Sequence, residues 1–563
     1  MLAAAFDRTV ALQRLGDTHF DVVVVGGGIT GAGCALDAAS RGLRTALVER
    51  GDFAAGTSSK SSKLVHGGLR YLQQGDVRLV YEALAERHRL RRNAPHLVKV
   101  LPFLIPVFSD GPISSRTARA MGTAMWMYDV TGGARIGRLH QRLTAEEARA
   151  HVPTLRPERL QSSYLYYDAR ADDARLCLTV ARTAAVEFGA VAVNSAEVTG
   201  FGKDAAGRVH TVEVVADGRT VSVTTDAVVN ATGVWADRVA ALDESDPPPS
   251  LRPAKGVHLT VPWHKVANDI AVVLPVPGDD RSVFVVPWGE LAYIGTTDTD
   301  YGGPLDDPQC TPGDVAYLLG AVNAALTTRL TEADVVGTWA GLRPLVADPD
   351  VTARTADLSR RHHIHRSGAG VVTVTGGKLT TYRDMAADTI DEVVRHVLGI
   401  GAVDRIRRRS RTRHIRLLGA DGYDEVLAAG DDLSSLPADT VRHLADRYGG
   451  DARTVLAMAE ADPSLAEPLV PGLPYLRAEA LYGARYEMAR SVDDVLSRRT
   501  RARLLARDDS ARVAPEVAAL IGPELGWDQT EQERQVSAYR SSVTAERQAA
   551  HLPEVALDAV LGA

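Results

Sequence analysis

The stretch Phe20-Asp-Val-Val-Val-Val-Gly-Gly-Gly-Ile-Thr-Gly-Ala-Gly33 carries the strongest structural signal in this chain of 563 residues. Its run of valines is typical of a buried parallel strand, and it leads directly into glycines and then into a helical pattern. Gly26 allows a tight turn, Gly28 lets the backbone approach a pyrophosphate, and Gly31 lets the helix pack close to the strand. The start of the helix would then offer N–H groups and a partial positive charge to phosphates.

An acidic residue follows at the distance that a bound dinucleotide requires. Glu49 ends the next apolar strand, Thr45–Val48, and stands eighteen positions after Gly31. Its carboxylate can accept hydrogen bonds from both hydroxyls of an adenosine ribose. A glycine-rich turn without a ligand is the alternative. Strand, turn, helix, strand and acid in this order favour a nucleotide site over that alternative.

Composition excludes several classes of protein. Hydrophobic residues make up 45% of the chain and charged residues 24%, as in an ordinary globular protein. The formal net charge of −7 argues that nucleic acid is not a partner. Cys34, Cys177 and Cys310 lack the spacing of a metal or disulfide site, so we expect buried thiols in a reducing compartment. Neither a signal peptide nor a membrane-spanning run is visible, which predicts a cytoplasmic location.

The strand pattern changes twice along the chain. Strands rich in β-branched residues are predicted at Val191–Asn194, Val209–Val215, Val221–Val223 and Ala227–Asn230. A linker at Asp243–Pro249 follows, because its consecutive prolines cannot hold regular structure. Short strands separated by Pro, Gly and Asp turns then predict an antiparallel sheet, at Val257–Val261, Val283–Val286, Leu291–Ile294 and Val335–Trp339. A strand at Val371–Thr375 and a helix from Thr381 to Val397 resume the first pattern.

The predicted fold is therefore α/β, with a discontinuous Rossmann-like domain, an antiparallel-sheet substrate domain and a C-terminal helical domain. The predicted bounds are 17–85, 166–250 and 346–400 for the first domain, 86–165 and 251–345 for the second, and 415–545 for the third. A ligand pocket is expected where the first two meet. The tail, with predicted helices Asp439–Tyr448, Asp451–Glu460, Leu476–Ala489 and Ser491–Ala506, carries no chemical motif. It would pack or oligomerise, which leaves a homodimer open.

A loop rich in hydroxyl groups comes soon after Glu49. Its sequence is Gly56-Thr-Ser-Ser-Lys-Ser-Ser-Lys-Leu-Val-His-Gly-Gly-Leu-Arg-Tyr-Leu72. Hydroxyls and backbone N–H groups can bind phosphate and ring carbonyls without a net charge. Gly67 and Gly68 would let the chain pass flat against a ring. In most proteins such a loop would merely be solvated, but this position favours contact with a dinucleotide.

Two strand-to-helix turns complete the pattern. Val229-Asn-Ala-Thr-Gly-Val-Trp-Ala-Asp237 ends a strand in Ala-Thr-Gly, as flavoproteins do beside the adenine end of their cofactor. Thr375-Gly-Gly-Lys-Leu-Thr-Thr-Tyr-Arg383 aims N–H groups and a helix dipole at an electron-rich atom, such as the edge of a flavin, and Lys378 would add charge. An ordinary turn and a threonine cap are the respective alternatives.

Together these segments resemble the FAD-dependent glycerol-3-phosphate dehydrogenase family over residues 20–391, and more loosely around Arg477–Arg503. The motifs that carry the resemblance are Val-Gly-Gly-Gly-Ile-Thr-Gly-Ala-Gly (25–33), Thr-Ser-Ser-Lys-Ser-Ser-Lys-Leu-Val-His-Gly-Gly-Leu-Arg-Tyr-Leu (57–72), Asp-Asp-Ala-Arg (172–175), Lys-Gly-Val-His (255–258), Ile-Gly-Thr-Thr-Asp (294–298), Gly-Leu-Arg-Pro-Leu (341–345) and Gly-Gly-Lys-Leu-Thr-Thr-Tyr-Arg (376–383). The discontinuous domain would then be an FAD-binding domain.

The resemblance implies oxidation of sn-glycerol 3-phosphate to dihydroxyacetone phosphate, with hydride transfer from C2 to FAD and electrons passed to a membrane quinone. The nearest alternative is a glycerol-3-phosphate oxidase that uses O2 and makes H2O2. Oxidases of this family usually carry a long insertion in the substrate domain, and none is visible here. An amino-acid oxidase and a non-catalytic flavin scaffold are more distant alternatives.

The resemblance also implies roles for individual residues. Substrate contacts map to Arg70, Tyr71, Arg343 and His258, and the catalytic groups to His258, Arg343 and Lys378. Guanidinium forks suit a phosphate dianion because they keep their charge. His258 is the first candidate for the base, since a neutral imidazole can take the hydroxyl proton. A histidine bound structurally in a strand is the alternative.

Contacts to FAD map to the glycine turn, the acid, the hydroxyl-rich loop and the two later turns, and no metal is implied. These residues are Gly26, Gly28, Ile29, Thr30, Gly31, Glu49, Thr57, Ser58, Ser59, Ser62, Lys63, Leu64, His66, Gly67, Gly68, Ala231, Thr232, Gly233, Gly377, Lys378, Leu379 and Thr380.

Several basic runs predict a peripheral position on the inner face of the cell membrane. The basic run Arg87–Asn93 precedes the apolar strip Val100–Phe108. The segment Arg116–Met127 contains both basic and apolar residues, and Arg405–Arg416 is strongly basic. Such segments are attracted to anionic lipid. Solvated charged faces and an internal strand at Val100–Phe108 are the alternatives.

Overall fold

The computed structural model describes residues 6–69, 76–109, 115–244, 251–346, 361–399 and 407–562. Its strands are β1 (Val22–Val25), β2 (Thr45–Val48), β3 (Leu64–Val65), β4 (Lys99–Phe108), β5 (Gln141–Thr144), β6 (Leu160–Arg170), β7 (Val191–Val193), β8 (Ala196–Lys203), β9 (Val209–Ala216), β10 (Arg219–Thr224), β11 (Val228–Asn230), β12 (Leu251–Pro262), β13 (Ala271–Pro275), β14 (Ser282–Trp288), β15 (Leu291–Gly295), β16 (Thr299–Asp300), β17 (Gly337–Val346), β18 (His362–Arg366) and β19 (Val371–Gly376).

The α-helices occur between the strands and throughout the C-terminal part. They are Arg8–Asp17, Ile29–Ser40, Val77–Asn93, Ser115–Thr131, Ala145–His151, Asp173–Val186, Ala236–Ala240, Pro312–Ala325, Tyr382–Glu392, Tyr423–Ala429, Ala438–Tyr448, Ala452–Ala461, Arg477–Tyr486, Ala502–Leu505, Arg507–Arg512, Ala514–Leu525, Gln529–Ala549 and Leu557–Leu561.

The first sheet has the order β18-β19-β11-β1-β2-β7, and its pairs are parallel except β18–β19. Val22 and Val24 of its central strand pack against the helices Ile29–Ser40 and Asp173–Val186. Val23 and Val25 face the other way, toward the three-stranded sheet β8–β10. Because successive side chains of a strand alternate between its faces, a strand covered on both sides needs an unbroken apolar run. The discontinuous Rossmann-like fold predicted from that run is confirmed.

The second sheet runs β16-β12-β15-β14-β13-β4-β6-β3, with β17 paired to β12 and β5 to β6. Its pairs are antiparallel except β13–β4, so the prediction of an antiparallel sheet is confirmed with one parallel exception. β4 holds the strip Val100–Phe108 between two neighbours, mostly buried. That strip is therefore the internal strand, and its reading as a membrane surface was wrong.

The C-terminal part is helical, as predicted, but the expected helix Ser491–Ala506 is interrupted. A π-helical turn covers Asp494–Arg499, Thr500 adopts an extended backbone, and a short helix resumes at Ala502–Leu505. Arg498, Arg499 and Arg501 around the break are buried against the first domain. Tertiary pairing of these arginines outweighs the helical preference of the segment.

The bounds predicted for the domains stay a prediction, and several of them fall inside an element: 85/86 in the helix Val77–Asn93, 345/346 in β17 and 545 in the helix Gln529–Ala549. β6 continues in the second sheet to Arg170, beyond the predicted boundary at 165. The predicted linker lies outside the described residues from position 245 onward, and so does the start of the basic run Arg405–Arg416. Cys34, Cys177 and Cys310 are buried free thiols, as expected.

Candidate FAD and substrate site

A cavity of about 550 Å³ opens at the carboxyl ends of β1 and β2, where open α/β sheets bind their ligands. Its size is typical of a cofactor site. The residues of the predicted FAD set that line it are Gly26, Gly28, Ile29, Thr30, Glu49, Thr57, Ser58, Ala231, Thr232, Gly233, Gly377, Lys378 and Leu379. Four sequence motifs that are far apart along the chain are thus brought to one wall.

The glycine turn has the geometry that its sequence predicts. Gly26 has φ +106°, and a Cβ there would lie 2.7 Å from the carbonyl oxygen of Ala231. A Cβ on Gly31 would lie 1.8 Å from the carbonyl oxygen of Gly26, so that glycine serves helix packing. Gly28 begins the helix without a side-chain cap. The end of the helix is therefore open for a diphosphate.

Glu49 is fixed at the edge of this cavity by two backbone groups. Its Oε2 accepts the N–H of Gly27 at 2.6 Å and its Oε1 accepts the N–H of Gly51 at 2.7 Å. Burial raises the pKa of this carboxyl, and the two N–H groups oppose that shift. Each oxygen keeps a further acceptor site, so the carboxylate is oriented and can still bind a ribose.

A smaller cavity of about 200 Å³ shares part of its wall with the large one. Thr57, Gly377, Lys378 and Leu379 line both. The small cavity also takes Ser62, Leu64, His66 and Thr380 from the predicted FAD set, together with His258 and Arg343 from the predicted substrate set. A cofactor that extends from the first cavity into the second would therefore meet the proposed catalytic groups.

His258 lies on β12 and is 2% exposed. Its Nε2 is 2.8 Å from Oγ of Ser62, and its ring stacks on Trp339 with centroids 4.7 Å apart and planes inclined by 7°. Its Nδ1 finds no hydrogen-bond partner among the described residues. Burial, with the charges of Lys63 and Arg343, holds the pKa of His258 well below its usual range. The imidazole is thus held in its neutral form, in which one ring nitrogen is a hydrogen-bond acceptor.

Arg343 lies on β17 and lines the same cavity, where groups from the loop after β15 hold it. Its Nη1 donates to Oδ1 of Asp298 at 3.1 Å, and its Nη2 donates to Oγ1 of Thr296 at 3.0 Å. The side chain is 22% exposed, so it keeps access to solvent and ligand. A guanidinium held in this way is preorganised to bind an anion.

Glycines make room for these two side chains. A Cβ on Gly295 would lie 1.9 Å from Cδ2 of His258, and one on Gly256 would lie 2.6 Å from Nη2 of Arg343. The glycine of the motif Ile-Gly-Thr-Thr-Asp therefore leaves space for His258. The glycine of the motif Lys-Gly-Val-His leaves space for Arg343.

The double glycine before Lys378 forms the turn at the junction of the cavities. Gly376 and Gly377 have φ +75° and +81°, a region that glycine alone adopts easily. A Cβ on Gly377 would also lie 2.3 Å from Sδ of Met385. This turn places Lys378 on the wall of both cavities.

Other residues of the predicted set lie away from the two cavity walls. Gly31 packs on Gly26, and Ser59 is buried within the hydroxyl-rich loop. Nζ of Lys63 donates away from both cavities, to Oδ1 of Asp173 at 3.2 Å. Gly67 packs on Tyr128, whose hydroxyl accepts its N–H at 3.2 Å, and Gly68, which follows it, lines neither cavity. Arg70 and Tyr71 lie outside the described residues.

Sequence reasoning missed part of the cavity wall. Trp235 lines the large cavity, with Cζ of Arg50 5.2 Å from its ring centroid and its Nε1 donating to Oδ1 of Asp306 at 2.9 Å. Trp235 belongs to the segment Val229–Asp237, in which the sequence predicts FAD contacts only for Ala-Thr-Gly. The contact with Asp306 joins segments 71 positions apart, so the sequence around Trp235 could not have predicted it.

Comparisons with known proteins agree with this geometry. The family model described as FAD dependent oxidoreductase matches residues 21–383. A second model, described as the C-terminal domain of alpha-glycerophosphate oxidase, matches residues 410–532. Glycerol-3-phosphate dehydrogenase 2 of Mycobacterium tuberculosis is 44% identical over 546 residues, which cover 96% of this chain and 90% of that protein. The chain belongs to the FAD-dependent glycerol-3-phosphate dehydrogenase family.

Relatives outside the mycobacteria support the assignment to this family. The mitochondrial glycerol-3-phosphate dehydrogenase of Homo sapiens is 36% identical over 560 residues, covering 95% of this chain and 74% of its own. The structure of the glycerol-3-phosphate dehydrogenase from Bacillus halodurans complexed with FAD aligns with a TM-score of 0.77 and 32% identity. That alignment covers 97% of this chain and 98% of that one. This chain is accordingly an FAD-dependent oxidoreductase.

The described residues fit FAD on structural grounds as well. The uncapped helix start at Gly28 suits the diphosphate, and Glu49 suits the adenosine ribose. The two cavities share part of their walls, so a group that reached from the large one into the small one would bring its redox-active end beside His258. Oγ of Ser58 already accepts the N–H of Ile29 at 2.9 Å, so the diphosphate would bind the N–H groups that follow it at this helix start.

Proposed function

We propose that the protein oxidises sn-glycerol 3-phosphate to dihydroxyacetone phosphate and passes the electrons to a membrane quinone. One observation carries the proposal: a cavity of about 200 Å³ unites a neutral histidine and an oriented arginine at the end of the FAD cavity. The names of the relatives point to the same substrate. FAD, when bound, supplies the two-electron oxidant.

Arg343 would bind the phosphate of the substrate. A dianion in this cavity gains charge-assisted hydrogen bonds from a guanidinium that Asp298 and Thr296 already orient. Arg70 and Tyr71, by the family resemblance, would add contacts to the same phosphate. With the phosphate fixed in this way, the substrate hydroxyl is held toward the other wall.

His258 would take the proton of the substrate hydroxyl as C2 is oxidised. Its neutral state follows from burial and from the cations around it. The Ser62 hydroxyl beside its Nε2 orients the ring, and Trp339 fixes the ring plane. Lys378 lines both cavities and would supply positive charge where FAD passes between them.

An exposed apolar patch supports a peripheral membrane position. On the helix Ser115–Thr131, Trp126 is 65% exposed, Met127 43% and Val130 68%. Arg135 lies near this helix, with its Cζ 5.3 Å from the ring centroid of Tyr81, which is itself half exposed. Apolar side chains beside cations suit the interface of an anionic bilayer, where quinones are found. None of the described helices is long and apolar enough to cross a membrane.

Anaerobic mixing tests the proposal directly. Purified holoenzyme mixed with glycerol 3-phosphate should lose its flavin absorbance, and glycerol at equal concentration should not bleach it. Adding a soluble quinone should then restore the absorbance faster than adding oxygen. An unbleached flavin would refute the substrate, whereas rapid reoxidation by oxygen with stoichiometric peroxide would make the protein an oxidase.

A further inference from the structure

One buried carboxylate holds the loop beneath the proposed catalytic histidine. Asp173, fully buried at the start of the helix Asp173–Val186, accepts the N–H of Ser61 at 2.9 Å and its Oγ–H at 2.7 Å, both on Oδ2. Its Oδ1 is 3.2 Å from Nζ of Lys63. The motif Asp-Asp-Ala-Arg (172–175) thus contributes an anchor that the proposed reaction does not itself use.

The helical domain reaches the same carboxylate. Nη2 of Arg501 donates to Oδ1 of Asp173 and to the carbonyl oxygen of Ser59, both at 2.7 Å. Arg501 is fully buried. One guanidinium therefore bonds both the carboxylate and the backbone of the loop, across 442 positions of sequence in the case of Ser59. A buried guanidinium requires such partners, because leaving it unpaired would cost several kcal/mol.

The anchored loop ends at the proposed base. The carbonyl oxygen of Ser61 accepts Nε1–H of Trp339 at 3.1 Å, and Ser62 follows with its Oγ 2.8 Å from Nε2 of His258. Trp339 is also the ring on which His258 stacks. Any displacement of Ser61 would therefore shift both contacts that orient the imidazole.

Two neighbouring arginines hold the loop that follows the ribose-binding acid. Oδ2 of Asp52 accepts Nε of Arg498 at 2.6 Å and Nη1 of Arg499 at 2.7 Å. Asp52 stands three positions after Glu49. The helical domain thus contacts two loops of the FAD cavity through one short segment. Because the helix breaks after Arg499, Arg501 faces the first domain as well.

We infer that Arg501 of the helical domain is a positioning residue for the FAD and substrate site, acting through Asp173 on Ser61 and thereby on Ser62 and His258. The catalytic readout rests on the proposed function. The inference assigns the helical domain a part in catalysis, beyond packing or oligomerisation. It predicts a loss of rate without a matching loss of substrate affinity, since Arg343 is oriented by a different loop.

The test compares Arg501→Gln and Arg501→Lys with Arg485→Gln in the FAD-loaded full-length protein. Arg485 pairs with Glu524 at 2.7 Å on the surface of the same domain and serves as the matched control. In Arg501→Gln the limiting rate of flavin reduction by glycerol 3-phosphate should fall about 10- to 100-fold, with an altered flavin spectrum. Its dissociation constant for glycerol 3-phosphate should change less than about threefold, because distant groups that share no partner affect each other only weakly. Arg501→Lys should recover part of the rate, and the control should match the unaltered protein.

A double-mutant cycle covers the case in which Arg501→Gln fails to fold. Arg501→Lys and Ser61→Ala both act on the contacts of Asp173, so their combined effect on the rate should be smaller than the product of the single effects. A multiplicative result, or a folded Arg501→Gln protein with the original rate and spectrum, would overturn the inference.

Failure of the proposed function can be distinguished from failure of this inference. If glycerol 3-phosphate does not bleach the unaltered protein, the substrate proposal is refuted. The flavin spectrum and the FAD dissociation constant of the Arg501 variants still decide the positioning role. Both should change relative to Arg485→Gln, and if neither does, the inference is refuted as well.

Discussion

Nε2 of His258 lies 2.8 Å from Oγ of Ser62, although the two residues are 196 positions apart. The hydroxyl belongs to a loop that follows the first β-α-β unit, and the imidazole belongs to β12 of the second sheet. The pair therefore forms where the two sheets meet. Its geometry depends on packing between parts of the chain that have separate hydrophobic cores.

The first prediction concerns this pair. His258→Gln should lower the rate of flavin reduction about 10²- to 10⁴-fold, because the base is lost, while FAD remains bound. Ser62→Ala removes one hydrogen bond to the ring and should cost about tenfold or less. Rapid-mixing absorbance measures both. A rate for His258→Gln within twofold of the original would exclude His258 as the base.

A second prediction addresses the phosphate. Arg343→Ala removes charge-assisted hydrogen bonds to a dianion, so the KM for glycerol 3-phosphate should rise about 10- to 100-fold. FAD content should not change, since Arg343 is absent from the wall of the large cavity, where the groups proposed to hold the diphosphate and the ribose lie. Arg343→Lys is the matched control, because it keeps the positive charge and loses the forked guanidinium. Its KM should lie between those of the original protein and of Arg343→Ala. An unchanged KM in Arg343→Ala would place the phosphate elsewhere.

The sequence predicts those parts of the site that depend on local backbone conformation. Gly26 needs a positive φ, Glu49 ends a strand, and the two glycines before Lys378 form a turn; each follows from residues that are neighbours in the chain. The resemblance to a family then added His258 and Arg343, which the structure brings into one cavity. Their roles remain predictions until variants are measured.

What the sequence could not predict depends on distant partners. The apolar strip Val100–Phe108 was compatible with an interior strand and with a lipid-facing surface, because an apolar run does not indicate which groups pack against it. The arginine-rich segment Ser491–Ala506 was predicted as one helix on periodicity. Its break is explained by the pairing of Arg499 and Arg501 with Asp52 and Asp173, more than 300 positions away.

A third prediction separates two glycines of the same turn. A Cβ on Gly28 would meet Oγ of Ser58 at 3.2 Å, whereas a Cβ on Gly31 would overlap the carbonyl oxygen of Gly26 at 1.8 Å. Gly28→Val should therefore fold and lose FAD, because its branches fill the diphosphate approach. Gly31→Ala should lose about 1–3 kcal/mol of stability even without FAD. Thermal unfolding of the apoproteins and the absorbance of FAD distinguish these effects. A yellow Gly28→Val protein would contradict the proposed cradle.

The fourth prediction concerns the exposed patch. Replacing Trp126 and Val130 together by Ser should weaken binding to vesicles that contain anionic lipid about tenfold or more, since two large apolar side chains no longer enter the interface. Reduction of the flavin in solution should not change. Val10→Ser, at a position 41% exposed on another helix, is the control. Equal co-sedimentation of all three proteins would show that this patch does not face the membrane.

The last prediction concerns acid stability and a histidine outside the site. His96 is buried, its Nδ1 has no hydrogen-bond partner among the described residues, and burial with the charges of Lys99, Arg175 and Arg416 lowers its pKa to about 3. The unfolded chain binds a proton at this position below about pH 6.5, and the folded protein does not until far lower pH. Its contribution to stability is therefore lost progressively as the pH falls from about 6.5 to 3.

His96→Leu removes this titration, so the two proteins should differ in how their thermal midpoints respond to acid. Between about pH 7.5 and pH 5 the original protein should lose about 2 kcal/mol more stability than the variant, which is 1.5 pH units at 1.36 kcal/mol each. Carboxylates and the other histidines titrate in both proteins and largely cancel in the comparison. Parallel midpoint curves over this range would show that His96 does not stay neutral in the folded protein while the unfolded chain takes up a proton.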